Sequence, residues 1–419
     1  MAAAGRLRWR RPGLTGTNGM IQDTQNIEHT NISLPDPRTL DYLRALLGFA
    51  TVTRGPNLDL IDWVRGQLDA HGIAARVIRD DTGTKANLHA WVGPQGVPGI
   101  MLSGHTDVVP AEGQDWTVPP HAATERDGRV YGRGAADMKG FVACALAALV
   151  RARGLPLKRP LHLALSYDEE IGCVGVRRML DALAAAPVRP SLCIVGEPTS
   201  MDVALGHKGK MALRAVCTGR AGHSALAPKA LSAIHLACDF VDGLRGMQAE
   251  LRQGGAQDAD YEIPYSTVHV GCMHGGTALN IVPDRCTLDL EIRHLAGDDP
   301  AGLLARLAGH AERIAAAQRE RFPEAGIALE TVNAYPGLDT RPDDDAVGFV
   351  QALLPPGARR FKVAFGTEGG LFRQALDVPV VVCGPGSMDQ GHKPDEYVTL
   401  AQLRACDDFL ARLTATLAA

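Results

Sequence analysis

Histidine and acidic side chains follow apolar segments of this sequence, and each of these segments has the composition of a buried strand. Because open α/β sheets bind ligands at the carboxyl ends of their strands, we expect these side chains to meet at one edge of a sheet. Four segments have this form, namely 99–102 before His105 and Asp107, 161–166 before Glu169 and Glu170, 192–195 before Glu197, and 380–383 before His392. Asp137 lies in a loop that opens a predicted helix.

Two histidines and several carboxylates at one place cannot all be charged and unpaired, because repulsion and desolvation would be costly. A pair of divalent cations resolves the conflict. Each ion would take one histidine and one terminal acid, with another carboxylate bridging ions that lie roughly 3.5–4 Å apart. Asp107 can accept the second imidazole N–H of His105 and so fix its orientation. Glu169 and Glu170 are adjacent, so their side chains point in different directions. One can therefore bind metal while the other acts as general base.

Each of these signals has a less specific explanation when it is taken alone. A single histidine after a strand is more often a structural residue, and an acidic doublet is more often a solvated loop. The glycines of Gly132-Arg133-Gly134 resemble a phosphate loop, but they lack the Walker spacing and a third glycine. The occurrence of these residues at four strand ends favours the metal site.

Composition excludes several other classes of protein. The chain has 419 residues and a net charge of −4, with 5% aromatic residues. This balance argues against a nucleic-acid or anionic-membrane partner, and no apolar run reaches the ~20 residues of a membrane span. The nine cysteines form no C-x-x-C pair. We therefore expect reduced thiols, a cytoplasmic location, and a metal held by histidine and carboxylate rather than by thiolate.

The order of predicted elements indicates an α/β layered domain with a second domain inserted in it. Strands and helices alternate from a helix capped by Asn57 onwards, and the apolar strands are typical of a parallel sheet. Residues 207–335 follow the order βαββαβ of a small ferredoxin-like domain. The outer domain then comprises 34–206 and 336–419. Residues 1–33 form a basic extension for which a flexible tail, a second start at Met20 and an organelle-targeting peptide are all open.

The site residues together resemble the aminoacylase/carboxypeptidase family of two-metal hydrolases. The resemblance extends from about residue 36 to the C-terminus, and the motifs occur in the family's order. Within the family, the sequence is most similar to the acetylornithine deacetylases. That closer similarity rests on His207-Lys208-Gly209, Gly275-Gly276-Thr277-Ala278-Leu279-Asn280, Gly384-Pro385-Gly386-Ser387 and His392-Lys393-Pro394-Asp395-Glu396-Tyr397.

The resemblance implies a role for each site residue. One ion would bind His105 and Glu197, the other Glu170 and His392, and Asp137 would bridge them. Zn²⁺ is the expected metal, and Co²⁺ is expected to substitute for it. Asp107 would orient His105, Glu169 would be the catalytic base, and the Asp137–Met138 peptide bond would be cis. The inserted domain would be a lid through which two chains form a homodimer. It would supply His223 to the reacting carbonyl, and Arg293 and Asn280 to the substrate carboxylate, while Glu368 of the outer domain is a further candidate for the substrate pocket.

These roles imply hydrolysis of the amide bond of a small N-acylated amino acid. Removal of acetyl from N2-acetyl-L-ornithine, a step of arginine biosynthesis, is the first candidate. Desuccinylation of succinyl-diaminopimelate and broad N-acyl amino acid hydrolysis remain open, because such enzymes share the same ligands. A non-catalytic relative should lack a ligand or the base, and none of these residues is missing.

Overall fold

A computed structural model describes residues 34–419, so the predictions for 1–33 lie outside the described residues. Two units divide the chain. The second unit comprises His207–Asp339 and Lys362–Gly366, and the first comprises the other described residues. Each unit has its own apolar core.

Two helices of the described chain begin where a capping aspartate is followed by a proline. Asp36 and Asp299 accept a main-chain N–H of the first turn with their side chains, and a proline begins each of these two helices. The helices are α1 (Pro37–Leu47), α2 (Leu58–Asp69), α3 (Gly140–Ala152), α4 (Val176–Ala184), α5 (Ala233–Gly254), α6 (Pro300–Arg319), α7 (Asp345–Leu353), α8 (Gly369–Leu376) and α9 (Leu400–Ala418). In residues 34–419, no helix is both long enough and apolar enough to span a membrane.

The strands fall into a main sheet, a small sheet beside it in the first unit, and the sheets of the second unit. They are β1 (Ala75–Arg79), β2 (Ala86–Val92), β3 (Ile100–His105), β4 (Thr124–Arg126), β5 (Arg129–Tyr131), β6 (Leu161–Ser166), β7 (Leu192–Val195), β8 (Val203–His207), β9 (Gly209–Thr218), β10 (Gly222–His223), β11 (Thr267–Gly275), β12 (Ile281–Val282), β13 (Arg285–His294), β14 (Gly326–Tyr335), β15 (Leu338–Asp339), β16 (Arg360–Val363), β17 (Val380–Val382) and β18 (Tyr397–Thr399).

The main sheet follows the order β1-β2-β6-β3-β7-β17-β8. Its centre is parallel, since β3 pairs in parallel with β6 and β7, and β17 with β7. The parallel pairing that the apolar strands indicate is confined to this centre, because β2 runs antiparallel to both β1 and β6, and β8 runs antiparallel to β17. The parallel centre has its strand ends at one edge, and that edge carries the site residues. Helix α3, almost wholly buried, packs against β6, α1 and α9.

The small sheet of the first unit joins distant parts of the chain. Strand β5 pairs with β4 and with β18, and Tyr131 lies opposite Tyr397. The segment after β5 and the segment before β18 are therefore neighbours where they join this sheet. The first contains Asp137 and the second contains His392.

The second unit has the βαββαβ order expected from the sequence. Its sheet follows the order β11-β13-β9-β14 with antiparallel neighbours throughout. Buried residues alternate with more exposed ones along β9 and β13. The buried residues share an apolar core with residues of α5 and α6. A short separate pair, β10 and β12, places Gly222 opposite Val282.

Two local predictions differ from the structure. Helix α1 precedes the helix that we expected to be first, and the side chain of Asn57 does not cap α2. The Asn57 amide instead bonds the main chain of Ala86 and the hydroxyl of Thr106. The Asn57 side chain thus connects two neighbouring segments of the first unit rather than capping the start of α2.

Candidate metal centre

The carboxylate of Asp137 lies between two histidines and turns a different oxygen to each. Its Oδ1 is 3.0 Å from Nε2 of His105, and its Oδ2 is 3.3 Å from Nε2 of His392. A carboxylate placed in this way can bind two cations at once. This is the arrangement that a bridging ligand requires.

One further carboxylate accompanies each histidine. Glu197 Oε1 is 3.8 Å from Nε2 of His105, and Glu170 Oε2 is 3.1 Å from Nε2 of His392. Among residues 34–419, two sets of side chains have ligand atoms close enough to hold an ion, namely His105 with Asp137 and Glu170, and His105 with Glu169 and Glu197. The structure thus brings together all five residues that the sequence predicts as ligands.

The ends of the parallel strands position these ligands. His105 is the last residue of β3, and Glu197 comes two residues after β7. His392 has a left-handed backbone with φ of 61°, which is uncommon for a residue other than glycine and is typical of functional sites. The Asp137–Met138 peptide bond is cis, as the resemblance predicts.

The contacts of Asp107 differ from the expected ones. Nδ1 of His105 lies 2.9 Å from the main-chain oxygen of Asp107 but 3.6 Å from its carboxylate. The carboxylate instead accepts the main-chain N–H groups of Glu169, at 3.1 Å, and Glu170, at 3.3 Å. Asp107 therefore holds His105 with its main chain and the acidic doublet with its side chain. Sequence spacing cannot distinguish these two acceptors.

Glu169 lies at the start of a tight turn after β6. Its main-chain oxygen accepts the N–H groups of Gly172 and Cys173, and its Oε1 accepts the Cys173 thiol at 3.2 Å. Burial raises the pKa of Cys173 well above its usual range, so the thiol keeps the proton that it donates. Cys173 is a site neighbour that the sequence analysis missed, because its contact depends on how the turn folds.

Burial has the largest effect on the pKa values of four acids of the site. It raises the pKa values of Glu169 and Glu197 well above the usual range, and it raises those of Asp107 and Glu170 as well. Mutual repulsion among these carboxylates adds to the effect. Ionised carboxylates at these positions therefore need nearby positive charge.

The same cluster of carboxylates favours the protonated, charged form of the histidines. Hydrogen bonds to Asp137 and Glu170 raise the pKa of His392 to about 10. Burial opposes protonation of His105, but the hydrogen bond to Asp137 and the nearby Glu197 raise its pKa well above 6.5 all the same. A set of nitrogen and oxygen donors with this demand for positive charge fits divalent cations such as Zn²⁺ or Co²⁺.

Glu368 lies at the start of α8, close to His105 and Asp107. Its side chain is buried, with Oε2 3.5 Å from the hydroxyl of Ser103, two residues before His105. Burial raises its pKa to about 7, and Oε1 has no hydrogen-bond partner among the described residues. Glu368 is thus a buried acid near the predicted metal ligands, and its place in a substrate pocket stays a prediction.

The other three predicted site residues belong to the second unit. His223 and Asn280 are neighbours there, because β10 pairs with β12 and the Ser224 N–H donates to the Asn280 main-chain oxygen at 3.0 Å. Arg293 lies on β13, with Nε 3.1 Å from Glu291 and Nη1 3.1 Å from the Tyr335 hydroxyl.

The fold and the metal centre together define a class of protein, and comparison with known families agrees. Residues 101–416 match the model of peptidase family M20/M25/M40, so the chain belongs to that family of metallohydrolases. The resemblance found in the sequence is thereby confirmed at the level of the family.

Individual relatives are more specific. The chain is 36% identical to an acetylornithine deacetylase of Shigella sonnei (strain Ss046) over 317 residues, which is 76% of this chain and 79% of that protein. An M20 family metallo-carboxypeptidase of Sulfolobus solfataricus superposes with a TM-score of 0.73 at 17% identity, covering 91% of this chain and all of the other. A Bacillus subtilis protein described as a dinuclear metal-binding M20 peptidase superposes with a TM-score of 0.62 at 14% identity, covering 90% of this chain and 97% of the other. These structures confirm the predicted fold.

Metal content tests the ligand assignment. We expect about two zinc or cobalt ions per chain, as a bridged pair requires. His392→Ala should retain about one, because the ligands around His105 remain. Plasma mass spectrometry after dialysis measures the ratio, with His162→Ala as a control because His162 lies outside the cluster and bonds His89 instead. The assignment is contradicted if the wild type binds one ion, or if His392→Ala and His162→Ala lose the same amount of metal.

Proposed function

We propose that this protein hydrolyses the linear amide bond of small N-acyl-L-amino acids, and that N2-acetyl-L-ornithine is its substrate, giving L-ornithine and acetate as in arginine biosynthesis. The observation that carries the proposal is the carboxylate of Asp137, which turns one oxygen to His105 and the other to His392. The buried acid Glu169 is part of the same cluster. The relative in Shigella supports the choice of substrate.

The first unit would supply the metal ligands. His105 and Glu197 would hold one ion, Glu170 and His392 the other, and Asp137 both. Bound divalent ions lower the pKa of water and polarise a carbonyl group, which is the chemistry that amide hydrolysis requires. The protein's part is to hold these donors at fixed positions on strand ends, and Asp107 contributes by bonding the main chain of the doublet.

Glu169 is the proposed general base. Its carboxylate would take a proton from the attacking water and return it to the leaving amine. Burial raises the pKa of this carboxyl, so a proton that it has accepted is stabilised there. The Cys173 thiol bonds Oε1 of this carboxylate, so Oε2 would be the atom that takes the proton.

His223 is the proposed donor to the carbonyl oxygen as negative charge develops on it. Its Nδ1 accepts the Ala225 N–H at 3.1 Å, so the neutral ring carries its proton on Nε2. His223 is exposed in the second unit and thus has a nitrogen free to donate. The carbonyl would lie in the site of its own chain or in that of a partner subunit.

Arg293 is the proposed ligand of the substrate α-carboxylate, with Asn280 as a second polar contact. The guanidinium is partly exposed and bonds the Glu291 carboxylate and the Tyr335 hydroxyl, which together fix its plane. Glu368 stays a prediction as a residue of the substrate pocket.

A hydrolysis panel tests the choice of substrate. We expect kcat/KM for N2-acetyl-L-ornithine to exceed that for succinyl-diaminopimelate and for neutral N-acetyl amino acids, with either zinc or cobalt. Release of free amine measures the rate. A preference for the succinyl substrate would replace the proposal by desuccinylation, and equal rates would replace it by broad N-acyl amino acid hydrolysis.

Replacement of the general base should separate chemistry from metal binding. In Glu169→Gln we expect kcat to fall about 10²–10⁴-fold, since proton transfer is lost while shape is kept. Metal content should stay at the wild-type level. Glu112→Gln, at an exposed position, is the control. Near-normal turnover in Glu169→Gln would remove this residue from the mechanism.

Substrates with and without a free carboxylate test Arg293. Arg293→Ala should weaken kcat/KM for N-acetyl amino acids about 10–100-fold, because a charged hydrogen bond contributes ~1.5–3 kcal/mol. The corresponding carboxamides should be little affected. Arg285→Ala, at an exposed position on the same strand, should affect neither. A similar loss for acids and carboxamides would exclude contact with the carboxylate.

We further propose a homodimer formed through the second unit. Strand β11 is at the edge of its sheet, and most of its residues from His269 onwards are exposed, including Met273. An exposed edge strand of this length favours pairing with a second chain. Light scattering should give twice the 44.5 kDa mass of one chain. A mass of one chain at micromolar concentration would contradict the dimer.

A further inference from the structure

The loops that carry Asp137 and His392 come from segments more than 250 residues apart in sequence, yet their side chains lie 3.3 Å apart. The pairing of β5 with β18 brings the two loops together at one end. The main-chain N–H of Gly132 donates to the main-chain oxygen of Glu396 at 2.9 Å and continues this connection. Beyond that point no strand pairing joins the two loops in the described chain.

The side chain of Glu396 takes over the connection. It is buried, with 1% of its surface exposed, and it accepts main-chain N–H groups from the Asp137 loop. Oε1 accepts from Ala136 at 2.9 Å and from Asp137 at 3.0 Å, while Oε2 accepts from Gly134 at 3.1 Å. These buried N–H groups belong to an irregular turn and need an acceptor. One carboxylate therefore sets the conformation of the turn that presents Asp137.

Arg133 completes the connection on the His392 side. Its Nη1 donates to Glu396 Oε2 at 2.7 Å, and its Nη2 donates to the side chain of Gln114. The Gln114 amide in turn donates to the main-chain oxygen of His392 at 2.9 Å. Arg133 also donates to the main chain of Lys393 at 3.3 Å. Trp116 covers the guanidinium, whose carbon is 5.0 Å from the ring centroid.

We propose that Glu396 and Arg133 are a pair of positioning residues that set the distance between Asp137 and His392, and so determine how tightly the ion at His392 and Glu170 is bound. The inference rests on the proposed metal centre. Neither side chain contacts a ligand side chain directly, and each acts on the main chain of a loop that carries one. Partners of this kind typically change metal affinity 10–100-fold when they are altered.

The alternative is that the pair stabilises the fold without setting the metal site. Asp407 offers a matched comparison, because it is also a buried carboxylate that accepts from a main-chain N–H, that of Asp36, and from a hydroxyl, that of Thr39. It connects α9 to the start of α1 and belongs to neither loop. Loss of its charge should reduce stability without any effect on metal binding.

Calorimetric titration of metal-free protein with zinc tests the proposal, with thermal unfolding recorded for each variant. In Glu396→Gln one acceptor oxygen becomes an amide N–H₂ that faces main-chain N–H groups. We expect binding at one of the two sites to weaken about 10–100-fold while the other changes little. The absorption spectrum of cobalt-loaded Glu396→Gln should also differ from that of the cobalt-loaded wild type. Asp407→Asn should leave both affinities and the spectrum unchanged.

Gln114→Ala serves as the milder variant if Glu396→Gln does not fold, because Gln114 is only partly buried. It removes the contact with the His392 main chain and should weaken the same site. Unchanged zinc affinities in a folded Glu396→Gln or in Gln114→Ala, or an equal loss in Asp407→Asn, overturns the inference. A wild-type chain that binds two ions but hydrolyses no N-acyl amino acid would overturn the proposed function alone.

Discussion

The metal centre concentrates acidic side chains where little water can reach them, and much of the first unit follows from this constraint. Glu169, Glu197 and Asp137 are each buried, as is the orienting Asp107. Ionised carboxylates at such density are stable only with compensating positive charge. Two histidines cannot supply that charge and also act as neutral ligands, so divalent cations fit the set of donors. The same burial raises the pKa of Glu169, so a proton that this carboxyl accepts is stabilised there.

The fold meets this constraint by placing each ligand where the main chain is already held. In the parallel centre of the sheet, β3, β6 and β7 end at one edge. His105 is the last residue of β3, and short connections after β6 and β7 carry the doublet and Glu197. Asp137 and His392 come from loops instead. Their positions therefore depend on hydrogen bonds to Glu396 and Arg133 rather than on a strand. A site of this kind requires support from residues that never touch the substrate.

Much of this arrangement is predictable from sequence, and the failures have physical reasons. Apolar runs identify β6 and β7 to the residue, and the acids that follow them identify the site. An apolar run does not report strand direction, which is why the antiparallel course of β2 was not expected. The acceptor for His105 and the roles of Cys173 and Glu396 depend on main-chain geometry within turns. No spacing rule encodes those contacts, so only the folded chain reveals them.

The central claim is that Asp137 bridges two ions, and anomalous X-ray diffraction from crystals grown with zinc measures this most directly. We expect two anomalous peaks, one within bonding distance of His105 and Glu197 and the other of His392 and Glu170. Each should contact a different oxygen of Asp137, as the present positions of Oδ1 and Oδ2 predict. A single peak, or two peaks that share no contact with Asp137, would contradict the account.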